Sequence, residues 1–421
     1  MSAVQFFLPL ESENTALKSS DNNKFKQIGS LACNCKKVMT FLQLHARVAV
    51  MKRSIQTSII EDLNSKIVLL SGPRQVGKTT LSKQLYPNYE YLNFDNSEDR
   101  KSIMEKSWKR SSELVIFDEI HKRPKWKSWI KGVYDVEGVR PRILVTGSAR
   151  MDIHRKGGDS LAGRHFSYRL HPFSVAELKE QMNPKDCLDR LLCVGGFPEP
   201  FLNGTEEFAK RWRHTHLDRI LKEDLLELEI VRNLKLIEIL TDLLADRVGA
   251  PVSYSSLARD LEISPHTVKK WIGILESLFV IFVVPPFSKN IARAILREPK
   301  IYFYDTGRVK NEPGARLENI VACALLKSLH KGQDLRGERS ELFYVRDKEK
   351  REVDFLTVID RKITDLIEVK NSDANLSTSL AYFAEKLRPS QATQVVLDLP
   401  RELEKHRILI QKVEHFLMNL E

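Results

Sequence analysis

The chain has 421 residues, 42% of them hydrophobic and 8% aromatic, the make-up of a globular protein with room for roughly two to four packed domains. Its five cysteines (Cys33, Cys35, Cys187, Cys193, Cys323) give Cys33-x-Cys35 no second ligand pair, which argues against structural zinc and for a reducing compartment. A net charge of +11 suits a nucleic acid or another polyanion, and the longest apolar run, Leu278–Val284, is far too short to span a bilayer.

No charged and apolar leader opens the chain, so a cytoplasmic location without membrane contact is expected. The stretch Glu11 to Ser30 is polar, and Asp21-Asn22-Asn23-Lys24 reads as a loop. Regular patterning begins near Met51. Residues 1–52 are therefore expected to be a disordered tail.

From Lys66 onward, strand and helix patterns alternate, as in a parallel α/β sheet. Strands are expected at Lys66–Leu70, Tyr89–Phe94, Glu113–Phe117, Arg142–Thr146 and His165–His171. After the first strand comes Gly72, Pro73, Arg74, Gln75, Val76, Gly77, Lys78, Thr79 and Thr80, a complete G-x-x-x-x-G-K-T run. A helix pattern, Leu81 to Leu85, follows it. That strand–loop–helix setting is what a phosphate-binding loop needs. Gly72 and Gly77 let the backbone curl so that its N–H groups face phosphate oxygens, and the helix N-terminus adds positive field. Lys78 is expected on the β- and γ-phosphates of ATP, and the Thr79 hydroxyl on Mg²⁺.

The third strand, Leu114 to Phe117, is apolar throughout and ends in Asp118-Glu119. Ligands of open α/β sheets bind at that edge. Asp118 is the expected Mg²⁺ partner through water, and Glu119 the general base for the attacking water. After the fourth strand, Ser148, or else Thr146, is placed to sense the γ-phosphate; a turn with a capping serine is the alternative. Arg164, presented after a glycine, is a candidate arginine finger, with an ordinary surface arginine as the competing view.

Gly72–Thr80, Val115–Glu119, Thr146–Ser148 and Leu161–Arg164, in this order, resemble the AAA+ superfamily. Asp-Glu-Ile-His at 118–121, His-Pro-Phe-Ser at 171–174 and Gly-Gly-Phe-Pro-Glu at 195–199 look like one prokaryotic branch of it. The resemblance covers roughly residues 53 to 400. It implies ATP binding and hydrolysis, with an ATPase core over 53–172 and a small helical lid over 173–232. It further implies a sensor arginine on the lid, at Arg211 or Arg213, with a solvated basic helix face as the simpler account, and an Arg164 that acts in trans if copies of the chain assemble into a homo-oligomeric ring.

Residues 233–287 read differently. Leu257–Leu261 is a short helix pattern, and Ser264 with Pro265 opens a second one. Val268, Trp271, Ile272, Leu275 and Phe279 share one face, and His266, Lys269 and Lys270 the other. A strand, Val280–Val284, follows. This is similar to a winged helix-turn-helix, whose lysines meet DNA in one reading and solvent in the other.

Residues 288–421 carry three strand patterns, 341–346, 352–358 and 365–370. Asp354 lies in the second; Glu368 and Lys370 share one face of the third. Glu318 lies on a helix pattern, Arg316–Leu329. Asp354, Glu368-x-Lys370 and Glu318 look like the PD-(D/E)XK restriction-endonuclease-like fold, with Val353 standing where a proline is customary. The resemblance implies Asp354, Glu368 and Glu318 as Mg²⁺ ligands and Lys370 as an aid to the nucleophile.

The expected fold is thus α/β: a P-loop parallel sheet with a helical lid, a winged helix and a C-terminal nuclease-like domain. The expected function is ATP hydrolysis coupled to DNA binding or processing. Two alternatives stand beside it: an ATP-gated, Mg²⁺-dependent DNA nuclease, and an ATP-dependent protein-docking module with an inactive nuclease-like domain.

Overall fold

Five short strands, β1 (Ile67–Ser71), β2 (Tyr89–Asn93), β3 (Leu114–Asp118), β4 (Arg142–Thr146) and β5 (His165–Arg169), form one sheet in the order β2-β3-β4-β1-β5. All neighbours run parallel. The computed structural model describes residues 51–147, 161–225, 233–288, 298–310 and 313–420. Residues 1–50 of the expected tail and Ser148 lie outside them.

Every residue of β1 and β3 is buried. Alternation along the strands divides the apolar residues between two cores. Val68, Leu70, Leu114, Ile116 and Leu144 face one side, where α1 (Gln56–Asp62) and α2 (Lys78–Gln84) pack through Ile59 and Leu81. Ile67, Leu69, Val115, Phe117 and Val145 face the other, under α3 (Ser97–Glu105) and α4 (Trp126–Glu137). There Trp108, Phe117 and Trp129 meet edge to face, with centroids 5.2 to 6.0 Å apart.

The strands end level with one another. Leu70 and Asp118 both pair with Thr146, and Asn93 pairs with Asp118. The carboxyl edge of the sheet therefore gathers the phosphate-loop run, Asp118 and Thr146 without any long-range bend in the chain.

Four helices follow: α5 (Val175–Leu178), α6 (Pro184–Val194), α7 (Pro198–Asn203) and α8 (Glu206–Arg219). Asn183 caps α6 through Lys185 N, and Thr205 caps α8 through Phe208 N. Gly195 closes α6 at φ +83°, where a Cβ would sit 2.8 Å from Asp305 Oδ1.

Next come α9 (Leu234–Ala245), α10 (Tyr254–Asp260) and α11 (Pro265–Ser277). Ser264 Oγ accepts from Thr267 N at 3.1 Å, with Pro265 at the first helical position. Val268, Trp271, Ile272 and Leu275 are buried, while His266, Lys269 and Lys270 are exposed. Strand β6 (Ile281–Val284) pairs antiparallel with β7 (Lys300–Phe303). Strand β7 lies within 288–421, the range expected to form the last domain, yet it is hydrogen-bonded to the preceding region.

The long helix α12 (Pro313–Arg336) extends the expected Arg316–Leu329 at both ends. It docks beside β5, where Arg169 Nη2 meets Asp334 Oδ1 at 2.6 Å and His171 Nε2 lies 2.9 Å from His330 Nδ1. Beyond it lie β8 (Ser340–Arg346), β9 (Glu352–Ile359), β10 (Lys362–Lys370), α13 (Thr378–Leu387), β11 (Gln391–Val396), β12 (Leu403–Lys405), β13 (Ile408–Lys412) and α14 (Val413–Met418). These strands form a mixed sheet in the order β12-β13-β11-β10-β9-β8. Among the strands absent from the sequence reading, β11 and β13 run parallel with β10, and β12 pairs antiparallel with β13. No helix among the described residues is long and apolar enough to cross a membrane.

Candidate active site

The loop after β1 is shaped by glycine. Gly72 has φ +146°, and a Cβ there would lie 2.3 Å from Leu170 O, closer than any side chain tolerates. Gly77 has φ +98° and forms the N-cap of α2. Gln75 also takes a positive φ, 61°. Lys78, the first residue of α2, is buried and folds back, its Nζ donating to Gly72 O at 3.0 Å and Pro73 O at 2.8 Å.

Residues that the sequence reading passed over hold this loop from below. Arg53 Nη1 donates to Val76 O at 3.1 Å, its Nη2 donates to His171 O, and its Nε pairs with Glu177 at 2.9 Å. Lys327 of α12 meets the other Glu177 oxygen at 2.7 Å. Burial pushes the Glu177 carboxyl up, but the charges of Arg53 and Lys327 outweigh it and bring it down to about 2. From α8, His216 Nε2 donates to Arg74 O at 3.1 Å. Burial above all lowers that imidazole to about 4, so it is neutral at pH 7. The arginine side chain of Arg74 pairs with Glu223.

Asp118 is the hub of the sheet edge. Its Oδ2 accepts from Thr79 Oγ1 at 3.0 Å and from Tyr91 Oη at 2.7 Å. Its Oδ1 accepts from Thr146 Oγ1 at 2.6 Å and from Glu119 N at 3.1 Å. Tyr91 and its link to Asp118 carry no motif signature. Only a tyrosine in alternation on a strand beside β3 hints at them. The phenol is raised well above its ordinary value, chiefly by burial and then by Asp118.

Glu119 sits at φ +56°, a left-handed conformation unusual for a residue with a side chain. Burial, and next the neighbouring Asp118 charge, raise its carboxyl to about 7, against the opposing pull of Lys122 and Lys78. A carboxyl held near neutrality is suited to take a proton from water. A hydroxyl and a buried carboxylate form the oxygen donor set that Mg²⁺ uses when substrate phosphates complete its shell, so Thr79 and Asp118 fit that ion.

The remaining expected residues fall elsewhere. Thr146, the less favoured sensor, binds Asp118 directly. Arg164 stands at the opposite edge of the sheet: its carbonyl accepts from Ile67 N at 3.0 Å, and its Nε pairs with Asp135 at 2.7 Å. That edge is a strand length, about 15 Å, from Gly72. Arg213 turns to Asp305 at 3.3 Å and donates to Val194 O, while Arg211 is exposed. The side chain of α8 that touches the loop is His216 rather than either arginine.

A second cluster forms where α12 meets β7, β9 and β10. Asp354 Oδ2 accepts from Val369 N at 2.9 Å, and Lys370 Nζ pairs with Glu368 Oε1 at 2.7 Å. Glu318 Oε1 accepts from Tyr302 Oη at 2.6 Å. Burial, then the Asp354 charge, raises both Glu318 and Glu368 above the ordinary carboxylate range. The expected metal set of Glu318, Asp354 and Glu368 does not close around an ion. Instead Lys300 Nζ stands among the acids, 3.1 Å from Glu318, 2.9 Å from Glu352 and 3.1 Å from Asp354. Among the described residues no group of three or more His, Cys, Asp or Glu side chains is spaced to hold a metal. Lys300 was legible only as a charge inside an apolar strand run.

A protein of Mycobacterium tuberculosis, described as uncharacterized protein Rv2008c, is 30% identical over 245 residues, 57% of this chain and 54% of that protein. The chain thus spans about half the length of that relative. Uncharacterized protein MJ1544 of Methanocaldococcus jannaschii is 24% identical over 371 residues, 79% of this chain and 80% of that protein. Among solved structures, RuvB of Thermotoga maritima has a TM-score of 0.29 at 15% identity, covering 58% of this chain and 89% of its own. AMPPCP-bound DnaA from Aquifex aeolicus has 0.28 at 13%, covering 53% and 86%. Family models of two domains of unknown function, DUF8612 and DUF4143, match residues 185–311 and 313–410. Residues 64–179, which include Gly72–Thr80, Asp118 and Glu119, match the AAA domain.

Proposed function

We propose that this chain binds ATP with Mg²⁺ and hydrolyses it, and that hydrolysis drives an action on DNA. The observation that carries the ATPase reading is the convergence of Lys78, Thr79, Asp118 and a Glu119 carboxyl raised to about 7 on one sheet edge. In this reading the loop N–H groups and Lys78 hold the β- and γ-phosphates. Mg²⁺, held by Thr79 and Asp118, neutralises charge on the phosphate oxygens when bound. Glu119 accepts the proton of the attacking water. Tyr91 and Thr146 orient Asp118 by occupying its oxygens. Arg164 stands about a strand length from Gly72 and pairs with Asp135, so a role on phosphates would require a neighbouring copy in a homo-oligomer.

The DNA link rests on the +11 charge and on the exposed His266, Lys269 and Lys270 of α11, the face that a winged-helix reading turns to DNA. Phosphate release from ATP by wild-type protein and by Lys78→Ala, each with and without DNA, tests both parts. Turnover that is lost in Lys78→Ala and raised by DNA is the expected result. Undiminished turnover in Lys78→Ala removes the assigned site. No DNA binding at low salt removes the DNA link and leaves ATP-dependent docking to a protein.

A further inference from the structure

The resemblance of Asp354, Glu368-x-Lys370 and Glu318 to the residues of metal-dependent nucleases implies a divalent ion at the three acids. The residues present do not fit one. We propose that Lys300 is the resident cation of this acidic centre, seated where the metal would be, and that the module works without divalent metal.

Lys300 has 0% of its surface exposed, and an ammonium is tolerated at such depth only when paired. Three carboxylates from two elements surround it: Glu318 from α12, and Glu352 and Asp354 from β9. The distances of 2.9 to 3.1 Å are those of ammonium hydrogen bonds, whereas Mg²⁺ or Ca²⁺ draws its oxygens to about 2.0–2.6 Å. The contacts take both oxygens of Asp354 and one of Glu318. Asp354 gives Oδ1 to Lys300 and Oδ2 to Val369 N–H. Glu318 gives Oε1 to both Lys300 and Tyr302. Arg346 takes the other oxygen of Glu352 at 3.3 Å. Of the expected set, Glu318 Oε2 lies outside these contacts, and Glu368 keeps one oxygen. Glu368 Oε1 pairs with Lys370, which leaves the buried Oε2 without a hydrogen-bond partner. Two oxygens on separate carboxylates fall short of a site, and among the described residues no group of three or more His, Cys, Asp or Glu is spaced to hold a metal.

The position of Lys300 in the chain gives the arrangement a consequence. Strand β7 pairs with β6, which follows α11 directly. The ammonium therefore ties the region carrying the exposed lysines of α11 to the C-terminal sheet. A metal bound by the acids alone would make no such tie.

The test is a Mn²⁺ titration of the nucleotide-free full-length chain, followed by electron paramagnetic resonance. Wild type and Asp354→Asn are expected to bind Mn²⁺ indistinguishably, and neither to nick plasmid DNA. Lys300→Met is expected to gain a Mn²⁺ equivalent that Lys300→Met/Asp354→Asn lacks, and to melt higher with Mn²⁺ than without. A wild-type Mn²⁺ equivalent or a nicking activity that disappears in Asp354→Asn overturns the proposal. So does a folded Lys300→Met that gains no ion. If Lys300→Met does not fold, the comparison of wild type with Asp354→Asn still decides. None of these readouts depends on ATP turnover, so the outcome is separate from that of the ATPase reading.

Discussion

Thr79 Oγ1 donates a 3.0 Å hydrogen bond to Asp118 Oδ2 across 39 residues of sequence. The bond joins the first turn of α2 to the tip of β3. Asp118 reaches it already oriented by Tyr91 and Thr146. Asp118→Asn keeps the shape and removes the charge. The Mg²⁺ concentration for half-maximal ATPase is expected to rise about 10–100-fold. A Mg²⁺ titration at fixed ATP reads the shift, and an unchanged curve counts against Asp118 as a metal partner.

Glu119 has a separate task. Glu119→Gln is expected to retain ATP binding and lose about 10²–10⁴-fold in kcat. The acting form is the carboxylate. Because burial and Asp118 hold the carboxyl at about 7, activity should be full above that pH and fall as pH drops through it. An ordinary glutamate would place that limb near 4.5. A kcat–pH profile locates it, and the limb should vanish in Glu119→Gln.

The support under the loop should show in stability. Glu177→Gln leaves Arg53 and Lys327 facing each other without their shared anion. Breaking a buried ion pair in this way costs about 3–5 kcal/mol. In the wild type the Glu177 carboxyl is depressed from 4.5 to about 2. Its contribution is therefore in place above about pH 4.5 and lost as pH falls towards 2. Urea unfolding of both proteins across that window should converge at its acidic end.

Gly72 tests the backbone. In Gly72→Ala the new Cβ meets Leu170 O at 2.3 Å, at a φ of +146° that side chains rarely adopt. The loop must shift, with a loss of stability of about 1–3 kcal/mol and of nucleotide affinity. Thermal melts with and without ATP separate the two effects.

For α11, Lys269→Ala and Lys270→Ala are expected to weaken DNA binding with little regard to sequence. Each lost phosphate contact should flatten the slope of log affinity against log salt by about 0.9. Slopes equal to wild type in both variants would assign the two lysines to solvent.

Much of the first site was legible in the residues alone because it is local. Gly72 to Thr80 is one loop, Asp118-Glu119 is one strand end, and hydrophobic runs placed both on strands of a parallel sheet. Level strand ends then bring them together with no further information. Tertiary structure decided what depends on contacts between distant segments. Tyr91 reaches Asp118 because β2 lies beside β3, and Arg53 reaches Val76 because α1 packs under the loop. Arg164 falls at the far edge because β5 runs parallel to β1. Lys300 shows the limit most clearly. Its sequence neighbours say only that a charge is buried, and its partners come from α12 and β9, whose approach no local pattern encodes.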